Sequence, residues 1–503
     1  MGATSKAISA APVGFDGRLV EVECDITKGL PAIKIVGLAN RSVDEAKERI
    51  KSAITNSLLE YPAKHITINL APAELPKEGT HYDLPIAIAV LVCSGQLRPS
   101  DIEGCAFAGE LTLTGELRPV PGIISIAESV RNAGITTLFV PVANLPQAQL
   151  VDNIEIIGIV SLKELFLHLK KEHIVTSVKS NVPTSNSAVI DQGVNIDDIE
   201  GQDQAKRAII IAAAGRHNIL LSGPPGAGKT MLGRALAGIL PRLSNEECLA
   251  ITKIHSLSGE SIDQPITTRP FRAPHHTSSR VSLIGGGANP KPGEVSLAHL
   301  GVLFLDEIPE YPRSTLESLR QPLEDRHVTI ARALSRAQYP ADFMLVATMN
   351  PCPCGHLGDP AKECVCSANQ IANYQKRLSG PLLDRIDLKL SVPRVANSVL
   401  FSDKSSSNKQ QLSAQYDVDR ANNIQFERYG SRYLYNANLT NSLIKRYANE
   451  TKDARDLLLK AAEKIGLSAR ATFKTLKVAR TIADLEGSQQ ITPTHISEAL
   501  QYR

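Results

Sequence analysis

The stretch Leu221-Ser222-Gly223-Pro224-Pro225-Gly226-Ala227-Gly228-Lys229-Thr230-Met231 decides how the rest of the chain is read. From Gly223 to Thr230 it fits the pattern G-x-x-x-x-G-K-[ST] without a mismatch. The apolar run Asn218-Ile219-Leu220-Leu221 before it predicts a buried strand, and Met231-Leu232-Gly233-Arg234-Ala235-Leu236 after it follows a helical pattern. Strand, glycine-rich loop and helix in that order form a phosphate cradle. The glycines let backbone N–H groups turn inward, and the helix N-terminus adds positive potential at the same point. Gly223, Pro224, Pro225, Gly226, Ala227 and Gly228 are expected to wrap the phosphates of ATP. Lys229 would reach the β- and γ-phosphates, and Thr230 would ligate Mg²⁺.

The partners of such a loop lie downstream. Gly301-Val-Leu-Phe-Leu-Asp-Glu307 is an apolar strand ending in two acids, the Walker B pattern. Asp306 would complete the nucleotide site by holding Mg²⁺ with Thr230, and Glu307 would polarise the attacking water as general base. A second buried strand, Phe343 to Met349, ends at Asn350. Leu378-Ser-Gly-Pro-Leu-Leu-Asp-Arg-Ile-Asp387 follows, with L-x-R-[IF]-D inside it. Together these residues resemble AAA+ ATPases. The resemblance implies that Asn350 positions the lytic water and that Arg385 reaches the γ-phosphate of a neighbouring subunit. Arg385 paired to Asp384 or Asp387 is the plainer alternative. The resemblance also sets Ile199 and Gly201-Gln202 against adenine, and Arg470, after the N-cap candidate Ser468, as a lid arginine acting in cis or in trans.

Bulk properties narrow the class. A chain of 503 residues suggests two to four domains. With 43% hydrophobic and 21% charged residues the composition is that of a globular protein, and a net charge of +3 leaves any nucleic-acid surface to local patches. No apolar run reaches the length of about 18 residues that a membrane span needs. The N-terminus has no apolar signal core, so a cytoplasmic location is expected, with the eight cysteines reduced. Trp is absent and aromatics are 4%, so base-stacking platforms would be sparse.

Residues 1–176 read as an α/β domain, with strands at Val20–Ile26, Ala32–Val36, His65–Leu70 and Thr137–Val140 and helices at Ser42–Ile54 and Ile86–Cys93. Pro76-Lys77-Glu78-Gly79 and the segment Gly115 to Ile124 resemble motifs of the Lon proteolytic domain. The resemblance fails at the chemistry. The nucleophile position holds His81, or Asp83 with a short gap, and the general-base position holds Ile124. Thr80 is a hydroxyl nearby, without a lysine that matches as partner. A Ser–Lys dyad is absent, and with it the route to an ATP-dependent protease. The domain is expected to serve as scaffold, ring element or nucleic-acid surface, or as structure alone.

A polar stretch at 177–195 reads as a linker, 196–395 as a parallel-sheet ATPase core, and 396–503 as a helical lid whose last helix starts at Thr492-Pro493. Pro312 to Glu324 reads as a helix and His327 to Arg336 as a hairpin. Gln264 to Gly293 contains no acid. Its Arg269, Arg272, Arg280 and Lys291, with Arg332 and Arg336 further on, are candidate DNA-backbone contacts; the alternative is a solvated basic insert. His275-His276 is a poor metal pair, with no carboxylate near it in sequence. Cys352, Cys354, Cys364 and Cys366 form a C-x-C…C-x-C array that suits a structural Zn²⁺; incidental thiols and a redox pair are the other readings.

In this order the Lon-like front, the P-loop core with Phe271-Arg-Ala-Pro-His-His-Thr-Ser-Ser279, the segment Asn350-Pro-Cys-Pro-Cys-Gly355 and the short helical lid resemble the ComM (YifB) branch of magnesium-chelatase-like AAA+ ATPases over essentially the whole chain. The resemblance implies a homo-hexameric, ATP- and Mg²⁺-dependent motor on single-stranded or branched DNA, driving branch migration in natural transformation and homologous recombination. A protein-remodelling chelatase-type subunit and an ATP-gated DNA clamp are the alternatives.

Overall fold

A computed structural model describes the chain except for residues 1–2, 38–40, 76, 78, 177–193, 261–263, 288–290, 332–335, 360–361 and 396–408. Most of the linker expected at 177–195 and the start of the lid lie outside the described residues. The chain forms two compact units. The first comprises residues 1–187, 244–267 and 329–339; the second comprises 188–243, 268–328 and 340–503. The segment expected as ATPase core, 196–395, therefore contributes two stretches to the first unit.

The first unit is built on a seven-stranded mixed sheet. Its order is Ala32–Val36, His65–Ala71, Asp16–Thr27, Ala3–Val13, Cys105–Phe107, Thr137–Pro141 and Glu155–Ile159. The strand Ala3–Val13 has a helix on each face. Ala7 and Ala11 pack in the cluster of the wholly buried helix Asp83–Cys93, and Ala10 packs in the cluster of the helix Ile123–Asn132. Small side chains are what a strand between two helices can carry, so it lacks the strong apolar alternation that announces a strand. The helix Asn245–Ser258, which follows the P-loop helix in sequence, also belongs here and packs against Ile123–Asn132. Its Lys253, 4% exposed, pairs with Glu128 and lies 4.0 Å from the centre of the Phe15 ring, while Ser256 Oγ accepts from the Gly122 N–H at 2.8 Å.

The second unit holds a five-stranded, all-parallel sheet in the order Phe271–Arg272, Val302–Leu305, Met344–Met349, Ile219–Ser222 and Leu388–Ser391. All residues of the strands Val302–Leu305 and Met344–Met349 are buried, as expected for a sheet covered by helices on both faces. Numbered by chain order the strands run 2-3-4-1-5, so the loop after Ile219–Ser222 opens between neighbours at the carboxyl edge of the sheet, where α/β folds bind ligands. The lid helices Lys409–Tyr429, Asn441–Tyr447, Lys452–Ile465, Ala469–Leu485 and Pro493–Leu500 share one hydrophobic cluster with this sheet. Asp197 accepts from the backbone N–H groups of Gln410 and Gln411 at 3.1 and 2.9 Å and caps the first of them. Ser468 caps Ala469–Leu485 and Pro493 stands at the first position of the last helix, as the sequence predicts. Within the lid Asp484, wholly buried, binds Arg428 at 2.5 and 2.9 Å, Arg480 at 3.1 Å and Asn436 at 2.9 Å.

One local expectation changes and one holds. The helix expected over Pro312 to Glu324 is two short helices, Arg313–Ser318 and Pro322–Asp325. Pro322 has no N–H to continue the first and suits the start of the second. The hairpin expected over His327 to Arg336 is present as strands His327–Ala331 and Arg336–Pro340.

Candidate active site

The three central strands of the parallel sheet deliver the site. Their register pairs Ser222 with Met349 and Leu305 with Ala347, so the P-loop, Asp306–Glu307 and Asn350 emerge side by side. Gly226 and Gly228 have φ of +77° and +83°, and a Cβ on either would point into open space. Those are the backbone conformations that turn N–H groups toward an anion. Gly228 is the N-cap of the helix Lys229–Gly238. Lys229 is 9% exposed, and its ammonium donates to Gly223 O at 2.6 Å, Pro224 O at 3.0 Å and Asn350 Oδ1 at 3.1 Å. Burial pushes its pKa down, against the opposing charges of Asp306 and Glu307. Gln202, expected beside the base, donates to Ala227 O at 3.3 Å and Pro393 O at 2.6 Å; Ile199 is buried in the core cluster.

Thr230 Oγ1 and Asp306 Oδ2 stand 3.3 Å apart, a hydroxyl and a carboxylate that fit a hard divalent cation such as Mg²⁺. Thr348 orders the acids. Its hydroxyl donates to Asp306 Oδ1 at 2.5 Å and accepts from the Glu307 N–H at 3.0 Å. Thr348 is wholly buried, and a hydroxyl two residues before Asn350 in an otherwise apolar strand is the signal that sequence reasoning passed over. Glu307 is exposed at the strand tip with φ of +50°.

Arg385 and Arg470 stand elsewhere. Arg385 precedes the amino end of the strand Leu388–Ser391, whose Leu388 pairs with Ile219 and whose Ser391 pairs with Ser222. It therefore lies at the opposite edge of the sheet from the P-loop. Its guanidinium donates to Arg320 O at 3.1 Å and Pro381 O at 2.6 Å and pairs with Glu324 at 2.6 Å. The alternative pairing with Asp384 or Asp387 is replaced by this one. Arg470 binds the other oxygen of Glu324, also at 2.6 Å. Burial would raise the Glu324 carboxyl, but Arg470 and Arg385 outweigh it and hold it below its ordinary value. Both arginines line a cavity of about 500 Å³ with Arg216, Arg326, Lys474 and Lys477. Asp387, also there, is buried against Lys474 at 2.7 Å and His217 at 3.5 Å. Burial alone would raise its carboxyl; Lys474 and His217 hold it far below the usual carboxylate range. Nothing in the sequence marks Glu324 as the residue joining the two arginines.

The four cysteines converge. Their Sγ atoms lie within 4.8 Å of one another, with Cys352 to Cys354 at 3.4 Å, Cys352 to Cys364 at 3.6 Å and Cys354 to Cys364 at 3.7 Å. Backbone N–H groups of His356 and Val365 draw the Cys354 thiol down to about 6.

The basic candidates divide. Arg269 is 7% exposed and donates to Pro241 O at 2.6 Å and Leu300 O at 2.8 Å, so it braces the core and does not reach outward. Arg272 is held bidentate by Glu294 at 2.7 and 3.0 Å, an acid just beyond the acid-free window. Arg280 is exposed on the helix Arg280–Ile284, and Lys291 is exposed on a two-stranded ribbon with Gly286. Arg332 and the side chain of Arg336 lie outside the described residues. The rings of His275 and His276 lie 4.1 Å apart, tilted by 33°, and among the described residues the four cysteines are the one cluster of three or more His, Cys, Asp or Glu side chains placed to hold a metal. In the first unit Thr80 contacts the Glu110 carboxylate, Lys77 binds the Pro72 carbonyl, and Asp83 is held by Arg49 at 2.7 and 3.0 Å. His81 is buried, which lowers its pKa to about 4. Among the described residues no hydroxyl–amine dyad forms there.

A 2-3-4-1-5 parallel sheet with a P-loop, paired acids and a polar residue on adjacent strand tips defines an AAA+ nucleotide-binding module. The magnesium chelatase, subunit ChlI family matches residues 195–400, its ChlI C-terminal family matches 408–503, and the subunit ChlI of Mg-chelatase family matches 22–144. The chain is 43% identical over 500 residues to YifB of Escherichia coli (strain K12), covering 98% of this chain and 96% of that protein. It is 43% identical over 501 residues, with the same coverage, to the competence protein ComM of Haemophilus influenzae. A magnesium-chelatase 67 kDa subunit of Chlorobaculum tepidum is 27% identical over 156 residues, 31% of this chain and 23% of that one. The chain belongs to the magnesium-chelatase-like AAA+ family, in the branch that contains YifB and ComM. Among the described residues no helix is long and apolar enough to cross a membrane.

Proposed function

We propose that this chain is an ATP-hydrolysing motor that assembles as a ring of like copies, a hexamer, and drives branch migration on branched DNA in the cytoplasm. One observation carries the reading: the P-loop with its acids and the Arg385–Glu324–Arg470 cluster stand at opposite edges of one sheet. A nucleotide held by Lys229, Thr230 and Asp306 is beyond the reach of its own Arg385, so the second half of the site comes from a neighbour. Glu307 activates water, Thr348 sets the acids, Asn350 positions that water and Lys229 holds the phosphates. The neighbour's Arg385 neutralises charge in the transition state, and its Arg470 acts from the same edge, in trans. Arg280 and Lys291 contact DNA phosphates. The Cys352, Cys354, Cys364 and Cys366 cluster belongs to the same reading as a zinc centre. Similarity to a competence protein supports DNA as the track.

A second reading has its own support, since the matched families are magnesium-chelatase subunits. In that case the motor remodels a protein partner. The deciding experiment is the ATPase rate with and without a four-way DNA junction across a salt series. Stimulation that falls steeply with salt is expected of a motor held by phosphate contacts. Basal hydrolysis that no DNA stimulates would overturn the DNA reading in favour of protein remodelling. Binding without movement of a labelled junction would reduce it to a clamp.

A further inference from the structure

We propose that Cys352, Cys354, Cys364 and Cys366 hold one Zn²⁺ ion whose task is to fix the P-loop and Asn350 for nucleotide. The inference rests on the reading of Gly223–Thr230 and Asn350 as the nucleotide site. A tetrahedron of thiolates with Zn–S of about 2.3 Å places its sulfurs about 3.8 Å apart. The separations among Cys352, Cys354 and Cys364, at 3.4, 3.6 and 3.7 Å, sit close to that value, and Cys366 Sγ lies within 4.8 Å of each of them. They are well beyond the disulfide length of about 2.05 Å. The two C-x-C pairs come from one loop, and the N–H of Cys354 donates to Cys366 Sγ at 3.4 Å, as N–H groups do around metal-bound thiolates.

The loop and the helix Ala368–Gln375 that follows it touch the nucleotide site at three points. Cys352 follows Asn350 by two residues and is wholly buried, so the residue that contacts Lys229 is tied directly to a ligand. The hydroxyl of Tyr374 meets the backbone of Asn350. Gly355, in the turn closed by its N–H to Cys352 O at 3.0 Å, lies on the ring of Pro225. Its φ is +83°, and a Cβ there would stand 2.7 Å from Pro225 Cδ and 2.9 Å from Cγ. The cysteine loop is thus a backstop for the outer bend of the P-loop. As the ion binds, each thiol releases its proton to solvent and the loop acquires one fixed shape, which sets where Pro225 and Asn350 stand.

The test uses the full chain, purified and dialysed under reducing conditions. Metal content should be one zinc per chain, and cobalt exchange should give the visible spectrum of tetrahedral thiolate cobalt. The double variant Cys364→Ser, Cys366→Ser should lose the metal and weaken binding of a fluorescent ATP analogue. Turnover should fall about 10- to 100-fold, the scale for misplacing reacting groups by about an ångström. Gly355→Ala should keep the zinc and still weaken nucleotide, which separates packing on Pro225 from metal loss and from failure to fold. Lys229→Ala should lose nucleotide and keep the zinc; nucleotide binding unaffected by Lys229→Ala would sink the nucleotide-site reading instead. Wild type without metal, or a cysteine variant with full zinc, overturns the metal site. Unchanged nucleotide affinity and turnover in both the cysteine variant and Gly355→Ala overturn the positioning role.

Discussion

Arg385 is expected to act only on nucleotide held by another copy. The strand Leu388–Ser391 separates it from the P-loop edge by three steps, roughly 10 Å of extended chain, with Arg385 a further turn away. Its guanidinium is committed to Glu324 at that far edge. Arg385→Ala should therefore bind nucleotide normally and lose 10³-fold or more in turnover, the range of about 10³–10⁵ that arginine fingers supply. Lys229→Ala should be inactive through loss of nucleotide. Mixed in equal amounts and allowed to reassemble, the two dead variants should recover activity. A competent interface needs an intact P-loop from one copy and an intact Arg385 from the next, which random head-to-tail assembly provides at about one interface in four. Steady-state ATPase of the mixture should reach about a quarter of the wild-type rate, with co-assembly checked by native mass spectrometry. Mixed rings as inactive as either variant alone would refute the argument from sheet polarity.

Glu307→Gln should keep ATP binding and lose at least about 10²-fold in turnover, as expected of a general base, and full turnover would refute the assignment. Thr348→Val should keep the fold yet lower turnover, because Asp306 and Glu307 lose the hydroxyl that orders both; single-turnover kinetics with unchanged nucleotide affinity would show it. Asp387 has a folded pKa far below its unfolded value of about 3.9, so its contribution to stability is complete above that value and is lost as pH falls below it. Asp387→Asn should cost about 3–5 kcal/mol at neutral pH and flatten the acid limb of a chemical-denaturation series. Lys291→Ala should weaken junction binding and reduce the salt slope by about one, and Arg269→Ala should instead lower thermal stability.

The sequence made the nucleotide half of the site legible because P-loop chemistry depends on local order: a loop, two acids at a strand end, a polar tip on the next strand. Thr348 was within reach of the same logic. The arginine half was legible only as a motif. Arg385 and Arg470 are far apart in sequence, and Glu324 brings them together through a fold that no local pattern encodes. In the basic insert, spacing along the chain does not tell which cations are spent on internal partners. Arg269 spends its donors on backbone carbonyls and Arg272 on Glu294, which leaves Arg280 and Lys291 facing outward. The strand Ala3–Val13 escaped notice for a packing reason: enclosed by helices on both faces, it is written in alanine and serine.

The helix Asn245–Ser258 bears on how the chain can be cut. It is encoded after the P-loop helix, yet its Ile251, Ile254 and Lys253 are buried within the first unit. A fragment that begins near residue 188 would carry this helix with its apolar face stripped and its lysine parted from Glu128. Such a fragment would tend to aggregate, whatever the competence of its nucleotide site. Loss of DNA-dependent activity on deleting the front of the chain would then report an orphaned helix, not a lost binding surface. The contribution of the first unit is better sought by surface substitutions in the intact chain, or by a deletion that also replaces the buried Ile251 and Ile254 of this helix with polar residues.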